Sequence, residues 1–163
     1  MFRVALLMGV MGMSSLLTLS ATGAESKPND LDAVQGYWKP LQCELEGVPQ
    51  MSADLMAQLT VVFDKSEYHL YFKEKELGKN GQPVIFRLAL ANVVLDDSTK
   101  PKSITFEFAD GALKGQKRHG IYELAGNQLK MCYGPADKPK PTEFKAPANS
   151  KLFLETWARQ PPK

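Results

Sequence analysis

The feature that most constrains the fold is the alternation of apolar and polar residues in short runs. Ile104, Phe106 and Phe108, for example, alternate with Thr105 and Glu107. Successive side chains of a strand point to opposite faces of a sheet, so this period predicts a strand with one apolar face. Similar runs recur from Gly36 to the end of the chain, separated by turn residues, and they predict an all-β domain.

The runs predict about eight strands, at 36–46, 59–63, 68–72, 86–95, 104–108, 121–124, 128–133 and 152–159. A single helical turn is predicted at 31–35 and one short helix at 50–58, where apolar residues follow Ser52 at helical spacing. The stretch 134–147 holds four prolines, which excludes a central strand there. Eight consecutive strands without a repeat predict a closed or nearly closed antiparallel barrel.

The amino terminus predicts a cleaved signal peptide. Arg3 precedes an apolar run over 4–19, and small residues follow at 20–24. The apolar run is shorter than the roughly 20 residues of a spanning helix, which disfavours a retained membrane anchor. We therefore expect a signal peptide over 1–24, a disordered lead-in over 25–30, a barrel over 31–159 and a tail over 160–163, in a secreted or periplasmic protein.

The charge balance gives no reason to expect nucleic acid as a partner, because the chain has 20 basic and 18 acidic residues. Export would place the two cysteines, Cys43 and Cys132, in an oxidising compartment that permits a disulfide. Their strands are not neighbours in a simple meander, so the required Cα separation of below roughly 7 Å is not assured. The bridge is a hypothesis at this point.

Gly36 and Trp38 open the first strand and Arg159 closes the last, which is similar to the lipocalin and calycin pattern. That resemblance implies that the arginine packs over the indole and plugs one end of the barrel. Further motifs match one family in order and spacing: residues 31–38, 100–104, 120–124, 129–133 and 141–144. The chain resembles a small lipocalin-like domain family expanded in planctomycete bacteria, over about 30–159; this resemblance implies the barrel fold and almost nothing about activity.

The first strand contains a conflict of phase. If Leu41, Cys43 and Leu45 face the interior, plain alternation would turn Trp38 outward. We therefore predict a β-bulge at Pro40 that shifts the phase and lets both sets point inward.

The sequence offers no clear catalytic constellation. His69 and His119 lie far apart and lack the spacing of a metal site, and Glu123 and Glu143 fit solvent-facing roles. The basic segment 111–120 is interpreted as a solvated loop. We predict no enzyme activity, no metal and no cofactor.

Many aromatic residues fall at inward positions, where they could fill the barrel or surround one small ligand. The ligand-binding hypothesis predicts an apolar molecule in a cavity away from the plug, lined by Leu70, Phe72, Phe86 and Leu88. The alternative is a filled barrel that binds a protein of the cell envelope through the loops at 134–147 and 114–119. Neither the ligand nor the oligomeric state follows from the sequence.

Overall fold

A computed structural model describes residues 29–161, which form nine strands and two short helices. The predicted signal peptide and most of the predicted lead-in lie outside the described residues. The elements in chain order are α1 (Asp30–Val34), β1 (Gly36–Leu45), β2 (Val48–Pro49), α2 (Ala53–Gln58), β3 (Leu59–Asp64), β4 (Glu67–Leu77), β5 (Pro83–Asp96), β6 (Ser103–Gly111), β7 (Lys117–Ala125), β8 (Gln128–Pro135) and β9 (Phe153–Arg159).

Eight of the strands close into an antiparallel barrel, as predicted. From β3 to β9 each strand pairs with its successor, and β1 pairs with both β3 and β9. The two-residue β2 folds back and pairs with the end of β1, through a tight turn in which Glu46 and Gly47 both have positive φ. Such turns match the twist of the strands they join.

The predicted bulge in β1 is present. Pro40 pairs with Trp157 and Gln42 with Thr156, which leaves Leu41 as an extra residue without a partner on β9. Trp38 and Cys43 therefore both reach the buried side, at 0% and 4% exposure. The expectation that Leu41 also points inward is wrong, because the bulge turns it to solvent at 53% exposure.

The phase predicted for β5 is also wrong, at Leu88. Leu70 pairs with Ala89 and Tyr71 with Arg87, so Leu88 is the extra residue of a second bulge. Ala89 points into the barrel, whereas Leu88 is 42% exposed. Phe86 is 48% exposed because β4 and β5 extend together beyond the barrel wall at this point.

The helices begin close to their predicted positions. Helix α1 starts at Asp30, one residue inside the predicted lead-in, and the Asn29 side chain accepts a hydrogen bond from Leu31 N at its start. Helix α2 starts after Ser52, whose hydroxyl accepts from Leu55 N. These contacts satisfy backbone donors that a helix start leaves unpaired.

The hydrophobic core fills the half of the barrel next to α1, which we call the closed end. Its largest fully buried side chains include Trp38, Phe63, Phe106, Tyr122 and Trp157. The opposite end, which we call the mouth, is formed by the β1–β3, β4–β5, β6–β7 and β8–β9 connections. Among the described residues, no helix is long and apolar enough to cross a membrane.

Candidate functional site

The mouth of the barrel contains a cavity of about 240 Å³. It lies above the packed core, and its lining comes from seven barrel strands, from the connection after β2 and from the β6–β7 turn. The lining residues are Cys43, Leu45, Gln50, Met51, Tyr68, Leu70, Ala89, Phe108, Leu113, Arg118, Tyr133, Phe153, Glu155 and Trp157. Most of these side chains are apolar, so the cavity suits a mainly apolar guest.

The cavity wall includes a buried carboxylate, that of Glu155, which is 5% exposed. Its Oε1 accepts hydrogen bonds from the Tyr133 hydroxyl at 2.9 Å and from the Cys43 thiol at 3.6 Å. Its Oε2 accepts from Trp157 Nε1 at 3.0 Å. Both oxygens are therefore held by donors of the protein, and the carboxylate has a fixed position.

Burial controls the titration of this cluster. Removal from water raises the pKa of Glu155, while hydrogen bonds from Tyr133, Trp157 and Cys43 and the charge of Arg118 act in the opposite direction. Burial, reinforced by the negative charge of Glu155, raises the pKa of Tyr68 and Tyr133 well above the usual tyrosine range. The same two causes, in the same order, raise the pKa of the Cys43 thiol, so this cysteine is a poor nucleophile.

Gly120 allows Tyr133 to reach its position beside Glu155. The two residues are opposite each other on β7 and β8, and a Cβ on Gly120 would lie 2.5 Å from Tyr133 Cβ and 2.1 Å from Cys132 O. No larger residue fits without separating these strands. The Tyr133 ring also packs on Phe106 and Phe153, with centroids 5.1 and 5.6 Å away, so its hydroxyl is well oriented.

Arg118 is the cationic residue of the cavity lining. It pairs with Pro135 and Phe106 in the sheet and lies above the Phe153 ring, 4.9 Å from the ring centroid. The sequence interpretation of 111–120 as one solvated loop is wrong for this residue, because β7 already begins at Lys117. In the strand, Arg118 shares the inward phase of Gly120 and Tyr122.

The closed end carries the predicted plug. The Arg159 guanidinium lies 4.3 Å from the centroid of the Trp38 ring, and it donates hydrogen bonds to the carbonyls of Ala33 and Gln35. Trp38 Nε1 donates to Val34 O at 2.8 Å. Gly36 adopts φ +109, which side-chain-bearing residues rarely accept. These contacts fasten α1 across the barrel end.

Only one of the four residues predicted to line the cavity does so. Leu70 is in the wall. Phe72 is half-buried and pairs with Phe86 across the extension of β4 and β5, outside the lining. Phe86 lies opposite Phe72 in that extension, and the expected contribution of Leu88 is corrected by its bulge, which brings Ala89 to the wall instead.

The two cysteines are free and lie on opposite faces of the barrel wall. Cys43 points inward to Glu155, whereas the Cys132 thiol contacts Lys145 O on the outside at 3.3 Å. Both of their strands pair with β9 and not with each other. The hypothesis of a disulfide is therefore corrected by topology as well as by orientation.

The histidines and the remaining carboxylates lie away from the cavity. His69 Nε2 is 3.1 Å from Glu67, and His119 Nε2 is 2.7 Å from Lys138 O. Glu143 forms an exposed ion pair with Lys145 at 2.9 Å. Within residues 29–161, no group of three or more His, Cys, Asp or Glu side chains is arranged to hold a metal ion.

Sequence reasoning missed Glu155, although a signal was present. Arg159 is predicted to plug the barrel end, and strict alternation along β9 gives Trp157 and Glu155 the same phase as Arg159. A carboxylate on the inward face of a strand is unusual, since charged side chains are rarely buried unless they are paired.

No protein-family model, curated protein or solved structure matches this chain. The family resemblance stays a prediction, while the closed eight-stranded barrel that it implies is present.

Proposed function

We propose that the protein is an exported, non-enzymatic, lipocalin-like domain that binds a small, mainly apolar molecule in the mouth cavity. One observation carries the proposal: a cavity with mostly apolar walls remains in a barrel whose other half is tightly packed. Export is supported by the signal-like pattern of residues 1–24.

The size of the cavity limits the ligand. An apolar cavity of roughly 150 Å³ binds benzene, and typical sites for drug-sized molecules begin at roughly 300 Å³. A volume of about 240 Å³ therefore fits a compact molecule somewhat larger than benzene. The fixed position of Glu155 suits binding better than proton transfer, because its oxygens already accept three hydrogen bonds.

Native mass spectrometry of the full chain purified from its own source tests whether a small molecule accompanies it. Calorimetric titration with hexanol then tests the location. Ala89→Leu adds three carbons to the wall, and each displaced methylene of a ligand is worth about 0.8 kcal/mol. We expect hexanol affinity to fall roughly tenfold or more, with the barrel still folded by circular dichroism.

Ala125→Leu is the matched control, because Ala125 is exposed at the far end of β7 and should leave affinity unchanged. Equal hexanol affinity in folded Ala89→Leu and wild-type protein would place binding elsewhere and refute the proposal. So would the absence both of a co-purified small molecule and of hexanol binding. Co-purification of a protein alone would favour the envelope-interaction alternative.

A further inference from the structure

Arg118 has hydrogen-bonding capacity that the protein does not use. Its Nε is buried and has no partner, and its Nη2 contacts Gln116 Oε1 only at a long 3.4 Å. A guanidinium offers five N–H donors in a fixed planar fork. A buried donor without an acceptor is unfavourable, so an acceptor that enters this cavity gains a partner already in place.

Glu155 is the other charged group of the lining, and most of its hydrogen-bonding capacity is already used. Three donors from three different residues already occupy its two oxygens. These donors use three of the roughly four acceptor sites of a carboxylate, so a ligand ammonium group would find little free capacity there. Of the two charged groups of the lining, the one with unused capacity is a donor and a cation, and it selects an acceptor and an anion.

The surroundings of Arg118 favour a planar anion in particular. The guanidinium lies above the Phe153 ring, which packs against it, and a planar fork matches the two oxygens of a carboxylate. Leu70, Phe108 and Leu113 line the same cavity and supply apolar contacts for the rest of a ligand.

We propose that the cavity binds short-chain monocarboxylates, with the carboxylate on Arg118 and the apolar chain against the walls. This inference rests on the proposed function and names its ligand class. The positive charge of Arg118 then offsets the negative charge that the ligand brings into a cavity whose lining already includes Glu155.

The test compares three ligands with the same chain and different head groups: hexanoate, hexanol and hexylamine, titrated calorimetrically into the full chain. We expect hexanoate to bind roughly tenfold or more tightly than hexanol, as a charge-assisted hydrogen bond implies, and hexylamine to bind most weakly. Arg118→Gln should remove the preference for hexanoate over hexanol. Arg118→Lys, which keeps the charge without the fork, should give an intermediate preference.

Arg87→Gln is the matched control, because Arg87 lies outside the cavity and pairs with Asp110 at 2.6 Å. Hexanol binding without a preference for hexanoate would overturn the carboxylate inference and leave the proposed function intact. A preference for hexylamine, or a preference for hexanoate that survives Arg118→Gln, would also overturn it. The comparison among ligands uses the wild-type protein, so it stands even if the variants fold poorly.

Discussion

Replacing Glu155 with glutamine gives the most direct test of the buried cluster. The carboxylate accepts from Tyr133 and Cys43 at one oxygen and from Trp157 at the other. If the glutamine oxygen keeps the first two bonds, its NH₂ group faces the indole N–H and the third bond is lost. An unpaired buried donor costs about 1–3 kcal/mol, so Glu155→Gln should be less stable than wild type by that amount in mildly acidic solution.

The stability difference should shrink as the pH rises. Burial raises the pKa of Glu155 in the folded protein above its ordinary value of 4.5, so the folded state retains a proton that the unfolded state has released. The contribution of Glu155 to the stability of the wild-type protein is therefore greatest below pH 4.5. It falls as the pH rises through the pKa of the folded state. The free energy of unfolding falls by about 1.4 kcal/mol for each unit that separates the Glu155 pKa values of the folded and unfolded states. The glutamine variant does not titrate and has no such loss.

Urea unfolding, followed by tryptophan fluorescence at several pH values from 4.5 to about 8, measures this difference. Glu123→Gln is the matched control, since Glu123 is exposed on β7 and its substitution should leave the pH profile unchanged. The reasoning is refuted if the stability gap between Glu155→Gln and wild type stays constant, or widens, over this range.

Three further predictions concern the plug, the thiols and the bulge of β5. Arg159→Lys should destabilise the fold by about 1–3 kcal/mol, because a lysine cannot span two carbonyls, and an unchanged melting temperature would contradict this. Alkylation without reductant should modify both Cys43 and Cys132 in urea and neither in the native protein, and mass spectrometry would reveal a bridge if one existed. Leu88→Ala should change the free energy of unfolding by no more than about 0.5 kcal/mol. Buried Val93→Ala should lower it by about 2 kcal/mol, so equal effects would mean that the phase of β5 is misassigned.

The alternation of the sequence was sufficient to predict the barrel and most of its strands. Inward positions in β3, β6 and β8 follow from simple alternation, and the bulge at Pro40 follows from the conflict between Trp38 and Cys43. The bulge at Leu88 was not predicted, because Leu88, Ala89 and Leu90 are all apolar and fit either phase. A bulge leaves no signature of its own when both faces of a strand carry apolar residues, as in this part of β5.

Most of the cavity lining escaped prediction for a related reason. It depends on which of two adjacent residues, Leu88 or Ala89, faces inward, and these two side chains differ greatly in volume. Without the bulge, Leu88 would point to the interior near the mouth, as plain alternation predicted, and would occupy part of the space in which a ligand is proposed to bind. The bulge turns Leu88 outward and gives the wall Ala89, so a shift of one residue separates a filled barrel from a binding barrel. Arg118 and Glu155 are the charged residues of the same cavity, and each is recognised only after its strand has been assigned and its phase fixed.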